Sequence, residues 1–116
     1  MIEVLKSKIH RATVTDASLH YEGSITISKE MAKIAGLYEY QRVTIADINN
    51  GNRFDTYVIL TDEPKVFCLN GAAARLVCVG DLIIIMAYQT IDEKDAPNHK
   101  PTVVLLGDNN EIDQVL

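Results

Sequence analysis

Asn49-Asn50-Gly51-Asn52 is the stretch that most narrows what this chain can fold into. It stands between RVTIADI (42–48) and RFDTYVILT (53–61), two runs that read as strands. Asn-Gly between such runs is the strongest short signal for an antiparallel hairpin, because both central residues must accept positive φ. The chain is therefore committed to a β-sheet around its middle.

The flanking sequence extends that reading. Residues 9 to 16 alternate as a strand, and Ser24-Ile-Thr-Ile-Ser28 alternates polar and apolar, as a half-buried strand does. Ser28 can cap a short helix, KEMAKIA, that Gly36 can end, with Met31, Ile34 and Ala35 on its buried face. Lys65 to Leu69 reads as another strand, and Asn70 can cap a tight turn over GAAARL. Residues 82 to 91 read as a buried strand, 92 to 101 as a polar loop, and TVVLL (102–106) as a final strand before a turn and a short tail. About seven short strands with one or two small helices suit a small barrel or a sandwich, and periodicity alone does not choose between them.

A length of 116 residues fits one domain. The formal charge of −5 counts against a wide phosphate-binding surface, so no nucleic-acid partner is expected. The first residues, MIEVLKSKIHRATVTD, lack the apolar stretch of a secretory signal, and LIIIMAY (82–88) is too short to cross a bilayer. A cytoplasmic protein with no membrane partner is the expectation. Cys68, Cys78, His10, His20 and His99 fall into no metal-binding spacing, and the two cysteines read as buried free thiols.

Three stretches could carry chemistry. Gly23-Ser24 opens the strand at 24, and as a pair it reads first as a turn glycine before a strand. A serine hydrolase would need G-x-S-x-G at a strand-to-helix elbow, which is missing here. The same hydroxyl could instead attack the carbonyl of Gly23, turning the peptide into an ester; elimination and hydrolysis would then leave a pyruvoyl group at position 24. In RFDTY, Arg53, Asp55 and Tyr57 share one face of a strand, and Phe54 and Thr56 the other. Arginine can grip a carboxylate and tyrosine can pass a proton. In NGAAA (70–74), small side chains would let an anionic group approach the backbone, or simply pack closely. Lys8 and His10 share a strand face, and a solvated edge is the plain reading of both.

Taken in order, HYEGS, RF-x-TY and NGAAA, running from SKIHRATVTDASLHYEGS through NGNRFDTY and LNGAAARLVCVGD to GDNNE, resemble the pyruvoyl-dependent aspartate 1-decarboxylases. The resemblance covers most of the chain and implies a mainly β fold, a small double-psi β-barrel with one or two short helices. It implies one domain, 1–116, that cuts itself into 1–23 (the β chain) and 24–116 (the α chain), with Gly23, Ser24 and Thr56 in self-processing. It implies decarboxylation of L-aspartate to β-alanine and CO2 for pantothenate biosynthesis.

By the same resemblance, Ser24 becomes the covalent pyruvoyl cofactor that takes the substrate amine as a Schiff base, with no metal and no pyridoxal phosphate. Tyr57 matches the proton donor; Thr56, Gly71, Ala72 and Ala73 match substrate contacts; Arg53 and Lys8 match carboxylate partners. His10 and Asn70 match positions near the site. The expected assembly is a homotetramer with active sites between subunits. Ala46 departs from the tryptophan that some members carry beside the pocket. The alternative is a non-catalytic barrel of the same fold that binds a ligand or another subunit.

Overall fold

The computed structural model describes residues 1–19 and 23–116. Nine strands appear among the described residues: β1 (Ile2–Thr13), β2 (Asp16–Ser18), β3 (Ser24–Ser28), β4 (Arg42–Asp47), β5 (Arg53–Thr61), β6 (Phe67–Asn70), β7 (Leu82–Ile91), β8 (Thr102–Leu106) and β9 (Ile112–Val115). An α-helix, α1 (Lys29–Ala35), follows β3, and 3-10 helices span Gly71–Leu76, Glu93–Asn98 and Asp108–Asn110.

Local chemistry explains most of these boundaries. Ser28 sits in extended conformation at the N-cap and accepts from Met31 N at 3.2 Å. Gly36 closes the helix at φ 73°, a left-handed conformation that costs glycine nothing. The β4–β5 hairpin pairs antiparallel from Arg42–Tyr57 to Ala46–Arg53 across the Asn49–Asn52 turn. Its Gly51 lies at φ 78°.

The strands join in the order β2-β6-β3-β5-β4-β7-β1-β8-β9. Neighbours β1/β8, β2/β6 and β3/β5 run parallel, so the chain repeatedly crosses over rather than meandering. Alternate residues of β1 and of β3 to β8, among them Ile9, Ile25, Ile45, Val58, Leu69, Ile83 and Val104, are fully buried in one apolar cluster. A flat sheet of this width could not bring them together; the sheet must curl around them. Asn110 stitches the curl, accepting from Thr13 N at 2.7 Å and donating to Thr13 O and to Lys65 O, just ahead of β6.

Several expectations are corrected. The strand expected over 9–16 is two elements, a twelve-residue β1 that begins at Ile2 and the short β2. Only the inward half of β7 is buried, since it lies between β1 and β4 with its other face partly open. The tail after Gly107 is strand β9, paired antiparallel with β8, and the polar loop at 92–101 contains a 3-10 turn capped by Asp92. Lys8 and His10 are not on an edge, because β1 is flanked by β7 and β8; both are half-buried. Cys68 is half-buried and Cys78 exposed, so neither is a core thiol.

Candidate active site

Ser24 begins β3, and Asn70 ends β6 directly opposite it in an antiparallel register. That register also sets Thr26 opposite Cys68. Residues two apart on a strand share a face. Ser24, Thr26, Cys68 and Asn70 therefore form a square of polar side chains, while Ile25, Ile27, Phe67 and Leu69 fill the core behind it.

Asn70 is the hub of this square. Its Nδ2 donates to Ser24 Oγ and to Thr26 Oγ1, each at 2.9 Å. Its Oδ1 accepts from the Cys68 thiol at 3.2 Å. Ser24 is 3% exposed and Asn70 8%, so the bond between them lies out of competition with water. The expectation that Asn70 caps the following turn is corrected: it occupies the cap position, but its side chain makes no capping bond. Its Oδ1, the atom that would accept a capping N–H, takes the Cys68 thiol instead.

Gly71, next in the chain, is buried at φ 65° and swings the backbone into the 71–76 turn. That turn carries Ala72 and Ala73 to an open cleft of about 320 Å³, lined also by Gly23, Phe54, Asp55, Thr56, Tyr57 and Leu76. The bond between Gly23 and the buried Ser24 thus lies at the wall of a cleft with small side chains on one side and Thr56 and Tyr57 on another. A Cβ built on Gly23 meets nothing within 4 Å, so space around that atom does not require the glycine. The first three residues of the HYEGS motif, positions 20–22, lie outside the described residues.

The faces of β5 follow the expected alternation. Val58 is buried and Phe54 packs on the core, which turns Arg53, Asp55 and Tyr57 outward. Asp55 is held by the Arg42 guanidinium and by Thr44 Oγ1, at 2.7 Å. The Thr44 hydrogen bond, then the Arg42 pair, draw its carboxyl below the usual carboxylate range. Tyr57 lies near Tyr40, with ring centroids 6.3 Å apart and tilted by 40°.

Other matched residues stand apart. Arg53 lines a separate, larger cleft of about 620 Å³ with Glu3, Arg42, Thr44 and Tyr88, though Phe54 and Asp55 border both clefts. Lys8 and His10 lie on β1, separated from β5 by β7 and β4. His10 Nδ1 is buried with no partner among the described residues. Burial, then Lys8 and Arg11, hold its imidazole below the ordinary value. Ala46 is half-buried opposite Arg53 and Ile84 and lines neither cleft. Among the described residues no group of three metal-ligating side chains converges, and no helix is long and apolar enough to cross a membrane.

A family model described as aspartate decarboxylase matches residues 1–113. The chain belongs to the aspartate decarboxylase family. It is 57% identical over 113 residues to the aspartate 1-decarboxylase of Campylobacter fetus, covering 97% of this chain and 98% of that one. It is 59% identical to the aspartate 1-decarboxylase of Caldicellulosiruptor bescii, over 96% of this chain and 88% of that one. A protein of the same name from Helicobacter pylori is 54% identical, over 95% and 94%.

Among solved structures, a computationally designed protein, msDPBB_sym2, superimposes with a TM-score of 0.50 at 18% identity, covering 74% of this chain and 99% of the design. That likeness bears on fold alone. The curled sheet is a double-psi β-barrel, and the choice between barrel and sandwich that periodicity left open is decided.

Two members of the polar square carry no local signal of that role in the sequence. Thr26 and Cys68 complete the hydrogen bonds of Asn70. The signal available was the two-residue spacing of Ser24 with Thr26 and of Cys68 with Asn70, but nothing local says that the two pairs face each other.

Proposed function

We propose that this chain is an aspartate 1-decarboxylase, converting L-aspartate to β-alanine and CO2 with a pyruvoyl group made from its own Ser24. Membership of the family supports the reaction. The observation that carries the self-made group is the Asn70 donor on the Oγ of a buried serine whose neighbour, Gly23, borders the cleft.

In the first step Ser24 Oγ attacks the Gly23 carbonyl carbon, the C–N bond breaks, and the serine nitrogen gains the proton that Oγ loses. A donor held against Oγ favours that loss, because it stabilises charge developing on the oxygen. Loss of the Ser24 α-proton then expels the Gly23 carboxylate. Water hydrolyses the remaining enamine and releases ammonia, leaving residues 1–23 and 24–116 as separate chains. Thr56, on the cleft wall, is assigned to assist this cleavage and to contact substrate.

The residues present fit such a group: a buried position 24, a donor at 2.9 Å and a cleft walled by Gly23, Ala72 and Ala73. Once formed, a ketone there supplies an electron sink for the bond to CO2. The chain's own side chains do the rest. Tyr57, reaching the same cleft, is assigned to return a proton to the substrate carbon that has lost CO2. The Gly71-Ala72-Ala73 backbone lets the substrate approach closely.

Arg53 and Lys8 are assigned to bind substrate carboxylates. Their separation from the cleft in one protomer supports a site completed by a second copy, in a homotetramer with sites between subunits. L-aspartate is the small-molecule partner, with no metal and no pyridoxal phosphate. The net charge of −5 supports the absence of a nucleic-acid partner, and a cytoplasmic location without a membrane partner accords with that reading.

Intact mass under denaturing conditions tests the proposal. Two species are expected, residues 1–23 and residues 24–116 beginning with a pyruvoyl group. One unmodified 116-residue chain, uncut after prolonged warm incubation, would support a non-catalytic barrel instead.

A further inference from the structure

Asn70 is useful to Ser24 in only one of its two amide orientations. With Nδ2 toward Ser24, a donor meets the oxygen and supports loss of the hydroxyl proton. With the amide turned over, Oδ1 would accept a hydrogen bond from the hydroxyl, and no donor from Asn70 would meet the oxygen. Hydroxyls such as those of Ser24 and Thr26 can give or accept a hydrogen bond. The group on the other side of the amide therefore bears on which state is held.

That side is occupied by Cys68, whose Sγ lies 3.2 Å from Asn70 Oδ1. A thiol is a weak donor and a weak acceptor, and here its S–H is directed at the amide oxygen. Its hydrogen is retained: burial, then the carboxylate of Asp16, paired opposite it on β2, push the Cys68 thiol up from its ordinary value. We infer that Cys68 is a positioning residue for self-processing, fixing the Asn70 amide so that its donors face Ser24 and Thr26. Cys68 does not touch the bond that is cut and acts only through Asn70. The inference rests on the reading of Ser24 as the processed residue.

Freshly translated precursors of the wild type, Cys68→Val and Cys68→Ser test it, with cleavage after Gly23 followed by intact mass. Cys68→Val keeps an apolar body without the donor, and it should cut about tenfold more slowly, the cost of one net hydrogen bond. Cys68→Ser restores a donor and should cut within about threefold of wild type. Thermal melting in a Ser24→Ala background, where no chain is cut, should show the two Cys68 variants alike. Cleavage of Cys68→Val at the wild-type rate would overturn the inference and leave the role of Ser24 standing. So would Cys68→Ser as slow as Cys68→Val, since the effect would then follow bulk rather than hydrogen bonding. Should Cys68→Val fail to fold, Cys68→Ala carries the same comparison. A wild-type chain that never cuts sinks the reading of Ser24, and this inference with it.

Discussion

Two regions of this barrel use the same kind of side chain for opposite purposes. At the β4–β5 hairpin, Asp47 Oδ1 accepts from Asn49 N and Asn50 N, Asn50 Oδ1 accepts from Asn52 N, and Asn49 Oδ1 accepts from Leu82 N. Each carboxyl or amide there satisfies nearby backbone. At the end of β6, Asn70 ignores the turn it precedes and bonds to two hydroxyls on another strand. Short polar side chains ordinarily bond locally at turns and caps. A buried one drawn away from its own backbone toward a serine marks chemistry rather than architecture.

Substitutions can break this contrast. The largest effect is expected from Ser24→Ala, which should leave a folded, uncut chain with no decarboxylase activity; β-alanine formed by that variant would end the pyruvoyl reading. Tyr57→Phe should cut normally yet lose most β-alanine production, and normal turnover would require another proton donor. Asn70→Ala should slow cleavage by about a hundredfold, the usual scale for losing one donor to a developing oxyanion. Cleavage at the wild-type rate would show that Asn70 is as structural as the hairpin asparagines.

The hairpin should answer in stability instead. Asp47→Ala removes the acceptor of two backbone N–H groups and is expected to cost about 1–3 kcal/mol in urea unfolding, with cleavage unchanged. The smallest effect concerns its pH dependence. Asp47 is 2% exposed, and burial, then Asp81, raise its carboxyl above the ordinary range. The native state thus holds this proton more tightly than the unfolded chain. Its stabilising contribution is full below about pH 3.9, the unfolded value, and is lost as pH rises through the raised native one. Asp47→Asn carries no such proton, so its urea midpoint should gain on wild type as pH rises over that window. A constant difference would exclude the linkage.

Much of this was legible in the chain itself. Ser28 and Gly36 declare their structures because the bonds they make span only a few residues, and the Asn50-Gly51 turn does so through its bonds to Asp47 and Asn52. The alternation in RFDTYVILT told which side of β5 carries Tyr57 for the same reason. The site was harder to read. Asn70 looked like a cap because capping is the nearest use for it, and Cys68 looked like a buried thiol because nothing beside it suggests a partner. The tail after Gly107 looked unstructured because its four β9 residues are all exposed and carry no apolar rhythm of their own.

The sequence by itself determined the local elements and, through its ordered motifs, the family to which the chain belongs. Only the tertiary structure decided that Ser24 meets Asn70 across 46 residues of chain, and that Cys68 stands behind the amide. The physical reason is register. Slipping β3 against β6 by one residue would turn the polar square into the core and bring the isoleucines out, so the burial of Ile25 and Ile27 aligns the donor with the serine.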